Sequence, residues 1–285
     1  MDKGDLQPGL YLISTPIGNA RDITLRAMDT LAGADVLAAE DTRTLRRLME
    51  IHGIALNGRK IVAYHDHNAQ SARPGLMKAL AEGRSVAYAS DAGTPLVADP
   101  GFGLVRSARE EGYSVTAVPG ASAALAALTV AGLPTDRFLF QGFLPAKSGA
   151  RRAVLTDLSA IHATLVIYES PHRIAATLDD AVTVLGPDRQ AALCRELTKK
   201  FEETRLGSLA DLARSVADDP PRGEIVLLIE PAPDTAPEPG DVDDDIRELL
   251  GSMTLKEAVA RVAGMHGLKR RDVYQRALAL RDDAE

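Results

Sequence analysis

Apolar and polar positions alternate along the first half of the chain with two different periods. Five short apolar runs, rich in β-branched residues, predict strands at Leu10–Ser14, Asp35–Ala39, Lys60–Tyr64, Ser85–Ser90 and Ser114–Val118. Between and after them, apolar residues recur at helical spacing and predict helices at Thr24–Ala32, Thr42–His52, Ala72–Glu82, Gly101–Glu111 and Ala121–Ala131. Several of these helices end at a glycine, which favours the left-handed backbone of a C-cap. The pattern indicates βα units around a mostly parallel sheet.

The second half repeats this alternation after a Gly132-Leu-Pro134 breaker, which predicts a domain junction. Strands are predicted at Phe138–Phe143, Thr164–Glu169, Ala191–Glu196, Glu202–Leu206 and Glu224–Glu230. Helices are predicted at Gly149–Ser159, Arg173–Val184 and Leu209–Val216. Because some of these strands are separated by little sequence, we expect a mixed sheet.

A proline-rich acidic segment follows Pro231 and predicts an extended linker. Beyond it, Thr254-Leu-Lys-Glu257 is a capping box that opens a helix, and another helix is predicted from Lys269 to Leu280. This pattern resembles a helix-turn-helix, and contact with RNA is as plausible for it as a docking or dimerisation hairpin. We predict four parts: an α/β domain at 8–133, a second α/β domain at 134–232, a linker at 233–243 and a helical module at 244–285.

Composition supports an ordinary folded protein. The chain has 285 residues, of which 45% are hydrophobic and 26% charged, so its length predicts about two domains. The single cysteine, Cys194, excludes an internal disulfide and a zinc site built from cysteines. No run approaches the roughly 18 apolar residues of a membrane span, and the first residues lack a signal-peptide core. We therefore expect a cytoplasmic protein with no membrane partner.

The net charge of −7 argues against a polyanion as partner, but the charge is unevenly distributed. Seven acids and one base between Asp234 and Glu248 give that segment −6, which leaves −1 for the rest of the chain. Arginines and lysines cluster elsewhere, so phosphate binding remains open beside the simpler interpretation of solvated helix faces. The candidate RNA contacts are Arg46, Arg47, Arg151, Arg152, Lys269, Arg270 and Arg271.

Several common catalytic motifs are missing. No G-x-G-x-x-G follows a strand, and the chain has no phosphate-binding P-loop, H-E-x-x-H or G-x-S-x-G motif. These absences disfavour kinases, NAD oxidoreductases and serine hydrolases. His65 and His67 lack identifiable further ligands, so no metal site is expected.

Three unusual loops follow predicted strands: Ser14–Asn19, Ser90–Gly101 and Pro119–Ala123. Open α/β sheets bind ligands at the carboxyl ends of their strands, and small residues allow a ligand to approach the backbone. The third loop also opens a helix, whose first amides are free to bind a ligand. Asp91 offers an anion suited to an amine, a ribose hydroxyl or a sulfonium.

These loops and several other motifs resemble those of the ribosomal RNA small subunit methyltransferase I family, which is similar in fold to tetrapyrrole methylases. The motifs are Thr15–Asn19, Asp22–Arg26, Glu40–Arg43, His65–Asn68, Ser90–Pro95, Asp99–Gly101, Pro119–Ala123, Gly142–Pro145, Tyr168–Arg173 and Arg195–Lys199. The match covers nearly the whole chain. It implies two α/β domains of tetrapyrrole-methylase type, a class III S-adenosylmethionine methyltransferase, plus a small helical module, usually in a homodimer.

The resemblance further implies 2′-O-methylation of a cytidine in the decoding region of 16S ribosomal RNA, with S-adenosylmethionine as cofactor. The partner would be small-subunit ribosomal RNA or the assembled small subunit. By motif match, the cofactor-binding residues would be Pro16, Asp91, Thr94, Ser122, Ala123, Glu169 and Leu197.

A ribose 2′-hydroxyl is a weak nucleophile, so the enzyme needs a base or a cation near the developing alkoxide. We expect Lys199 to act electrostatically, or as a base if burial depresses its pKa. Glu40 or Asp41 would orient the sugar, with Arg43 beside them. Two alternatives remain open: methylation of a tetrapyrrole or another small molecule, and a non-catalytic protein that binds RNA or the ribosome.

Overall fold

The computed structural model describes residues 6–232, 239–251, 253–265 and 270–282. The chain forms two compact units, Met1–Ala232 and Pro233–Glu285. In the part of the chain that is described, no helix has both the length and the apolar character needed to cross a bilayer.

The first unit begins with a five-stranded sheet in which every pairing is parallel. Its strands are β1 (Gly9–Ile13), β2 (Val36–Ala39), β3 (Ile61–Ala63), β4 (Ser85–Ala89) and β5 (Val115–Val118), in the order β3-β2-β4-β1-β5. The helices that follow these strands are α1 (Leu25–Gly33), α2 (Thr42–Ile51), α3 (Ala69–Ala81), α4 (Phe102–Glu110) and α5 (Ala123–Val130). Because β1, β4 and β5 are neighbours, the loops after them emerge side by side.

Both faces of this sheet are covered. Helices α1 and α2 pack on one face through Leu31, Leu45 and Met49, and α3 and α4 pack on the other through Leu80 and Leu104. All five residues of the central strand β4 are buried as a result, as expected for a parallel sheet with helices on both sides.

A second five-stranded sheet completes the unit, with strands β6 (Phe138–Phe143), β7 (Thr164–Glu169), β8 (Gln190–Arg195), β9 (Glu203–Ser208) and β10 (Ile225–Ile229). Their order is β6-β7-β10-β8-β9. Strands β6 and β7 are parallel and the other pairs are antiparallel, which confirms the predicted mixed sheet. One face is covered by α6 (Ser148–Leu158), α7 (Ile174–Leu185) and α8 (Leu209–Asp218).

Helix α5 covers the other face of this second sheet. Its Ala124, Ala127 and Leu128 pack with Cys194 and Val226 in one buried cluster. The helix that leaves the first sheet is thus part of the core of the second. This packing brings the strand-end loops of the first sheet against β7 and β10.

The second unit contains α9 (Pro239–Leu250), α10 (Leu255–Met265) and α11 (Arg270–Asp282), which share a small core around Ile246, Val262 and Ala277. The Thr254–Glu257 capping box is present, since the Thr254 backbone donates to Glu257 and the Glu257 backbone donates to the Thr254 hydroxyl. The predicted linker 233–243 is wrong at its end, because α9 already begins at Pro239. Proline is tolerated in a first helical turn, where its missing N–H has no intrahelical partner to lose.

Candidate functional site

Backbone and side-chain hydrogen bonds join the three strand-end loops of the first sheet. The amide of Thr15 donates to the Gly93 carbonyl at 2.9 Å, and the amide of Gly93 donates back at 3.0 Å. The Thr94 hydroxyl donates to the Ala121 carbonyl at 3.1 Å and lies 3.4 Å from the Ser14 hydroxyl. The predicted convergence of the loops at one sheet edge is confirmed.

A cavity of about 220 Å3 lies between these loops and the second sheet. The first sheet contributes Ile17, Ala92, Gly93, Thr94, Val97, Ala98, Asp99, Ser122 and Ala123. The second sheet contributes Phe143, Tyr168, Glu169, Glu224, Ile225 and Val226. The wall is mostly apolar, with a few carboxylates and backbone groups, which is the usual make-up of a small-molecule site.

Asp99 is the carboxylate whose ionisation the site changes most. Burial, together with the nearby charges of Glu40 and Asp91, raises the pKa of Asp99 to about 7. Burial and the charge of Asp91 likewise raise the pKa of Glu40. Three acids near a cavity are costly without a cation, so this end of the site is suited to a positively charged ligand.

The loop that carries Asp99 has an unusual backbone. Leu96 and Ala98 adopt left-handed conformations, with φ of 71° and 59°, which cost energy in residues other than glycine. The turn places Val97, Ala98 and Asp99 in the cavity wall. The sequence placed Asp99 in the predicted loop Ser90–Gly101 and in the Asp99-Pro-Gly101 motif, but neither indicated that its carboxyl would be buried.

Lys199 lies at the junction between the two sheets. Its Nζ is 2.9 Å from Glu196 Oε1 and 2.9 Å from Glu224 Oε2. Burial opposes the charge on Lys199, but these two carboxylates outweigh it and raise the pKa of the amine above its usual range. The idea that burial makes Lys199 a base is therefore wrong, and its role as a fixed cation stays a prediction.

The turn before Lys199 contacts the first strand-end loop. The amide of Asn19 donates to the Thr198 hydroxyl at 3.0 Å, and Glu196 and Thr198 both adopt left-handed backbone conformations. A Cβ on Gly18 would lie 2.4 Å from Lys199 Cγ. Only glycine at position 18 allows the two loops to approach this closely.

Comparison with known proteins identifies the fold and the family. A family model described as Tetrapyrrole (Corrin/Porphyrin) Methylases matches residues 9–213, and a model described as RsmI C-terminal HTH domain matches residues 236–281. Ribosomal RNA small subunit methyltransferase I of Mesorhizobium japonicum is 51% identical over 278 residues, which is 97% of this chain and 94% of that protein. The protein of the same name from Escherichia coli O157:H7 is 44% identical, with 95% of each chain covered.

The chain belongs to the ribosomal RNA small subunit methyltransferase I family. Two solved structures share its fold. Uroporphyrin-III-C-methyltransferase from Thermus thermophilus aligns with a TM-score of 0.55 at 24% identity, covering 78% of this chain and 94% of that one. The methyltransferase CobJ aligns with a TM-score of 0.61 at 18% identity, covering 79% and 94%. The predicted fold class of two α/β lobes of tetrapyrrole-methylase type plus a helical module is confirmed.

Four residues predicted to bind the methylase cofactor lie in the cavity wall: Thr94, Ser122, Ala123 and Glu169. The other three, Pro16, Asp91 and Leu197, do not. Asp91 instead accepts a hydrogen bond from the Asp41 amide at 2.9 Å, and Leu197 is buried in the cluster around α5. The motif match therefore did not separate the residues that line the cavity from the residues that pack behind them.

Asp41 and Arg43, which were predicted to act in catalysis next to the sugar, are paired with each other. The carboxylate of Asp41 caps α2 by accepting from the Arg43 amide at 2.8 Å and forms an ion pair with the guanidinium at 2.6 Å. The Arg43 hydrogen bonds lower the pKa of Asp41 to about 2. Neither these two residues nor Glu40 line the cavity, so a role in orienting substrate stays a prediction.

The candidate RNA contacts have different surroundings. Arg46 and Arg47 are exposed on α2, and Arg270 and Arg271 are exposed on α11, whereas Lys269 lies outside the described residues. The prediction for Arg151 is wrong, because this side chain is only 5% exposed and pairs with Asp180 at 2.7 Å. Arg152 is half exposed and also binds Asp180, at 2.5 Å. The sequence shows Arg151 and Arg152 as a basic pair, but it does not show that both bind Asp180, which lies 29 and 28 residues further along the chain.

Proposed function

We propose that this protein transfers a methyl group from S-adenosylmethionine to the 2′-hydroxyl of a cytidine in the decoding region of small-subunit ribosomal RNA. The near full-length match to relatives named ribosomal RNA small subunit methyltransferase I carries the proposal. The residues that resemble the family's motifs support the finer assignment to the ribose and to cytidine. We also propose that the protein acts as a homodimer, as the resemblance implies.

The donor set of the cavity fits S-adenosylmethionine, a nucleoside with a sulfonium and an ammonium group. Ile17, Tyr168 and Val226 offer apolar surface to an adenine ring, while the carboxylates of Asp99 and Glu224 suit the cationic groups. Gly93 leaves its backbone bare in the wall, where a Cβ would lie 3.3 Å from Ile17 Cγ2. When bound, S-adenosylmethionine supplies an electrophilic methyl group on sulfur.

The remaining chemistry belongs to side chains at the edge of the cavity. Lys199 stays protonated and is held by Glu224, which itself lines the cavity. Its charge would stabilise the negative charge that develops on a ribose 2′-oxygen.

Substrate RNA would bind by phosphate neutralisation on two basic surfaces. One is the exposed face of α2 with Arg46 and Arg47, and α2 begins just after β2 at the same sheet edge as the cavity loops. The other lies in the second unit, where Lys256, Arg270, Arg271 and Tyr274 border a shallow pocket. Contacts of this kind fix RNA in place and are sensitive to salt.

The test is methyl transfer by the purified protein from radiolabelled S-adenosylmethionine to small ribosomal subunits from a strain that lacks this gene. We expect one methyl group per subunit, on the ribose of a cytidine. The phosphodiester bond that follows this ribose should become resistant to alkaline cleavage. In the same assay, Lys199→Ala should lower kcat without loss of S-adenosylhomocysteine binding. Label on a base, on a different nucleotide, or only on an added porphyrinoid would contradict the proposal.

A further inference from the structure

Phe143 is a large aromatic residue that is exposed to solvent at the carboxyl end of the edge strand β6. It is 56% exposed, and its ring forms part of the cavity wall. Among the exposed large hydrophobic residues in the described ranges, Phe143 is the one that lines the cavity. Isolated exposed hydrophobic residues are common on protein surfaces and need no explanation, so the informative feature of Phe143 is its position in the cavity wall.

The backbone of β6 turns this ring toward the cavity. The pairing of β6 with β7 shifts register between Phe140 and Gly142, and Gly142 has φ of 69°, which glycine adopts without strain. Bulges next to active sites often redirect a side chain in this way. The next residue, Leu144, is 2% exposed in the core of the second sheet, so the chain is anchored immediately after Phe143.

Two arginines hold the segment that follows. Arg173 Nη2 donates to the Leu144 carbonyl at 2.5 Å and to the Pro145 carbonyl at 3.2 Å. Arg151 Nη1 donates to the Ala146 carbonyl at 3.2 Å. These charge-assisted bonds fix the backbone on the carboxyl side of the ring. The fold therefore fixes the backbone that holds Phe143 in its exposed position.

One edge of the ring is supported by Tyr168. The two rings are 5.8 Å apart and nearly perpendicular, at 70°, and Tyr168 is in turn fixed by a hydrogen bond from the Ala124 amide at 3.2 Å. The exposed part of Phe143 is thus an apolar surface, supported by Tyr168, at the border of the cavity. Proteins use such rings to stack single bases that have left an RNA helix.

We propose that Phe143 is the platform on which the base of the target nucleotide stacks while its ribose enters the cavity. The inference rests on the proposed function and adds a residue that positions the substrate. An unpaired pyrimidine needs a flat apolar partner outside its own helix, and stacking on an aromatic side chain is worth about 1–3 kcal/mol per base. That range corresponds to about 5- to 150-fold in an equilibrium or rate constant.

The experiment compares Phe143→Ala, Phe143→Leu and Phe143→Tyr with the wild type on small ribosomal subunits. We expect kcat/KM for subunits to fall about 5- to 150-fold in the alanine and leucine variants and to stay within about twofold in the tyrosine variant. The affinity for S-adenosylhomocysteine, measured by calorimetry, should not change. The matched control is Phe138→Ala at the other end of β6, since Phe138 is 45% exposed and does not line the cavity.

A fluorescence measurement adds a direct readout, because the chain contains no tryptophan. Phe143→Trp introduces a reporter that stacking should quench when small-subunit ribosomal RNA free of ribosomal proteins is added, relative to the same titration with Phe138→Trp. Equal kcat/KM for Phe143→Ala and Phe138→Ala would overturn the proposal, as would weakened S-adenosylhomocysteine binding, which would assign the ring to the cofactor. If the wild type does not methylate subunits, the proposed function itself fails, which is a separate outcome.

Discussion

At the scale of single residues, the site combines two groups whose pKa values the fold raises for different reasons. Burial and neighbouring acids raise the pKa of Asp99, while two carboxylates keep Lys199 protonated. The acid lies in the cavity wall, and the cation binds another acid of that wall, Glu224. Functional sites commonly contain titratable groups whose pKa values are shifted by burial and by neighbouring charges.

Asp99 should make the stability of the protein depend on pH. The pKa of its carboxyl is about 7 when folded and about 3.9 when unfolded, so between these values the folded state binds more protons. The contribution of Asp99 to the free energy of unfolding therefore falls as the pH rises from about 4 to about 7. Asp99→Asn removes this effect, so the stability of the variant relative to wild type, measured by urea unfolding, should increase between about pH 4 and about pH 7.

The control is Asp29→Asn, which changes an exposed carboxylate on α1. Its stability difference from wild type should be nearly constant over the same range. A constant difference for Asp99→Asn as well would mean that Asp99 titrates normally in the folded protein.

At the scale of elements, a buried ion pair joins α6 to α7. Asp180 on α7 accepts from Arg151 at 2.7 Å, from Arg152 at 2.5 Å and from the Ser148 hydroxyl at 2.9 Å, all on α6. Burial opposes the charge of Asp180, but these partners outweigh it and hold its pKa below the usual range. Arg151 also binds the Ala146 carbonyl, so the pair supports the segment after Phe143.

Replacing Asp180 with alanine should destabilise the protein strongly, because Arg151 would remain buried without its acid. Breaking a buried pair in this way costs about 3–5 kcal/mol, which urea unfolding would measure. Asp179→Ala is the matched control, since Asp179 is exposed on the same helix. A loss below about 1 kcal/mol for Asp180→Ala would show that the pair adds no more than a surface ion pair does.

The sequence predicts elements better than it predicts the contacts between them. The bounds of β6 and β7 agree residue for residue, because each is an apolar run between breakers. Helix α9 was missed because its proline- and acid-rich composition was interpreted as a linker, although Val242, Ile246 and Leu249 recur at helical spacing and pack in the core of the second unit. Eleven of the fifteen residues that line the cavity were also not predicted as site residues, and Asp99, Phe143 and Tyr168 come from separate motifs that only the packing of the two sheets brings together.

At the scale of the whole molecule, the net charge of −7 coexists with a separate basic helix face on α2. Arg46 and Arg47 are exposed there, and the guanidinium of Arg43, whose side chain is 89% exposed, is partly offset by Asp41. Long-range attraction to RNA is weak for such a protein, so local contacts decide binding.

Arg46→Glu should weaken binding to small-subunit RNA and reduce its dependence on salt. Each lost phosphate contact lowers the slope of log affinity against log salt by about 0.7–0.9. Filter binding at several salt concentrations measures both effects. The control is Arg137→Glu, which makes the same charge change at an exposed position before β6. This variant should leave the slope unchanged. An equal decrease of the slope in both variants would mean that only the net charge of the protein matters.

Helix α5 has a consequence for how the protein acquires its structure. Because Ala127 and Leu128 belong to the same buried cluster as Val166 and Val226, a nascent chain that ends near residue 133 exposes an apolar helix with nothing to cover it. The first sheet can form early during synthesis, but the cavity exists only after β10, the last strand of this unit, has been made. Ligand binding therefore reports completion of the fold, and severing the chain between the two sheets should yield fragments that aggregate unless they are refolded together.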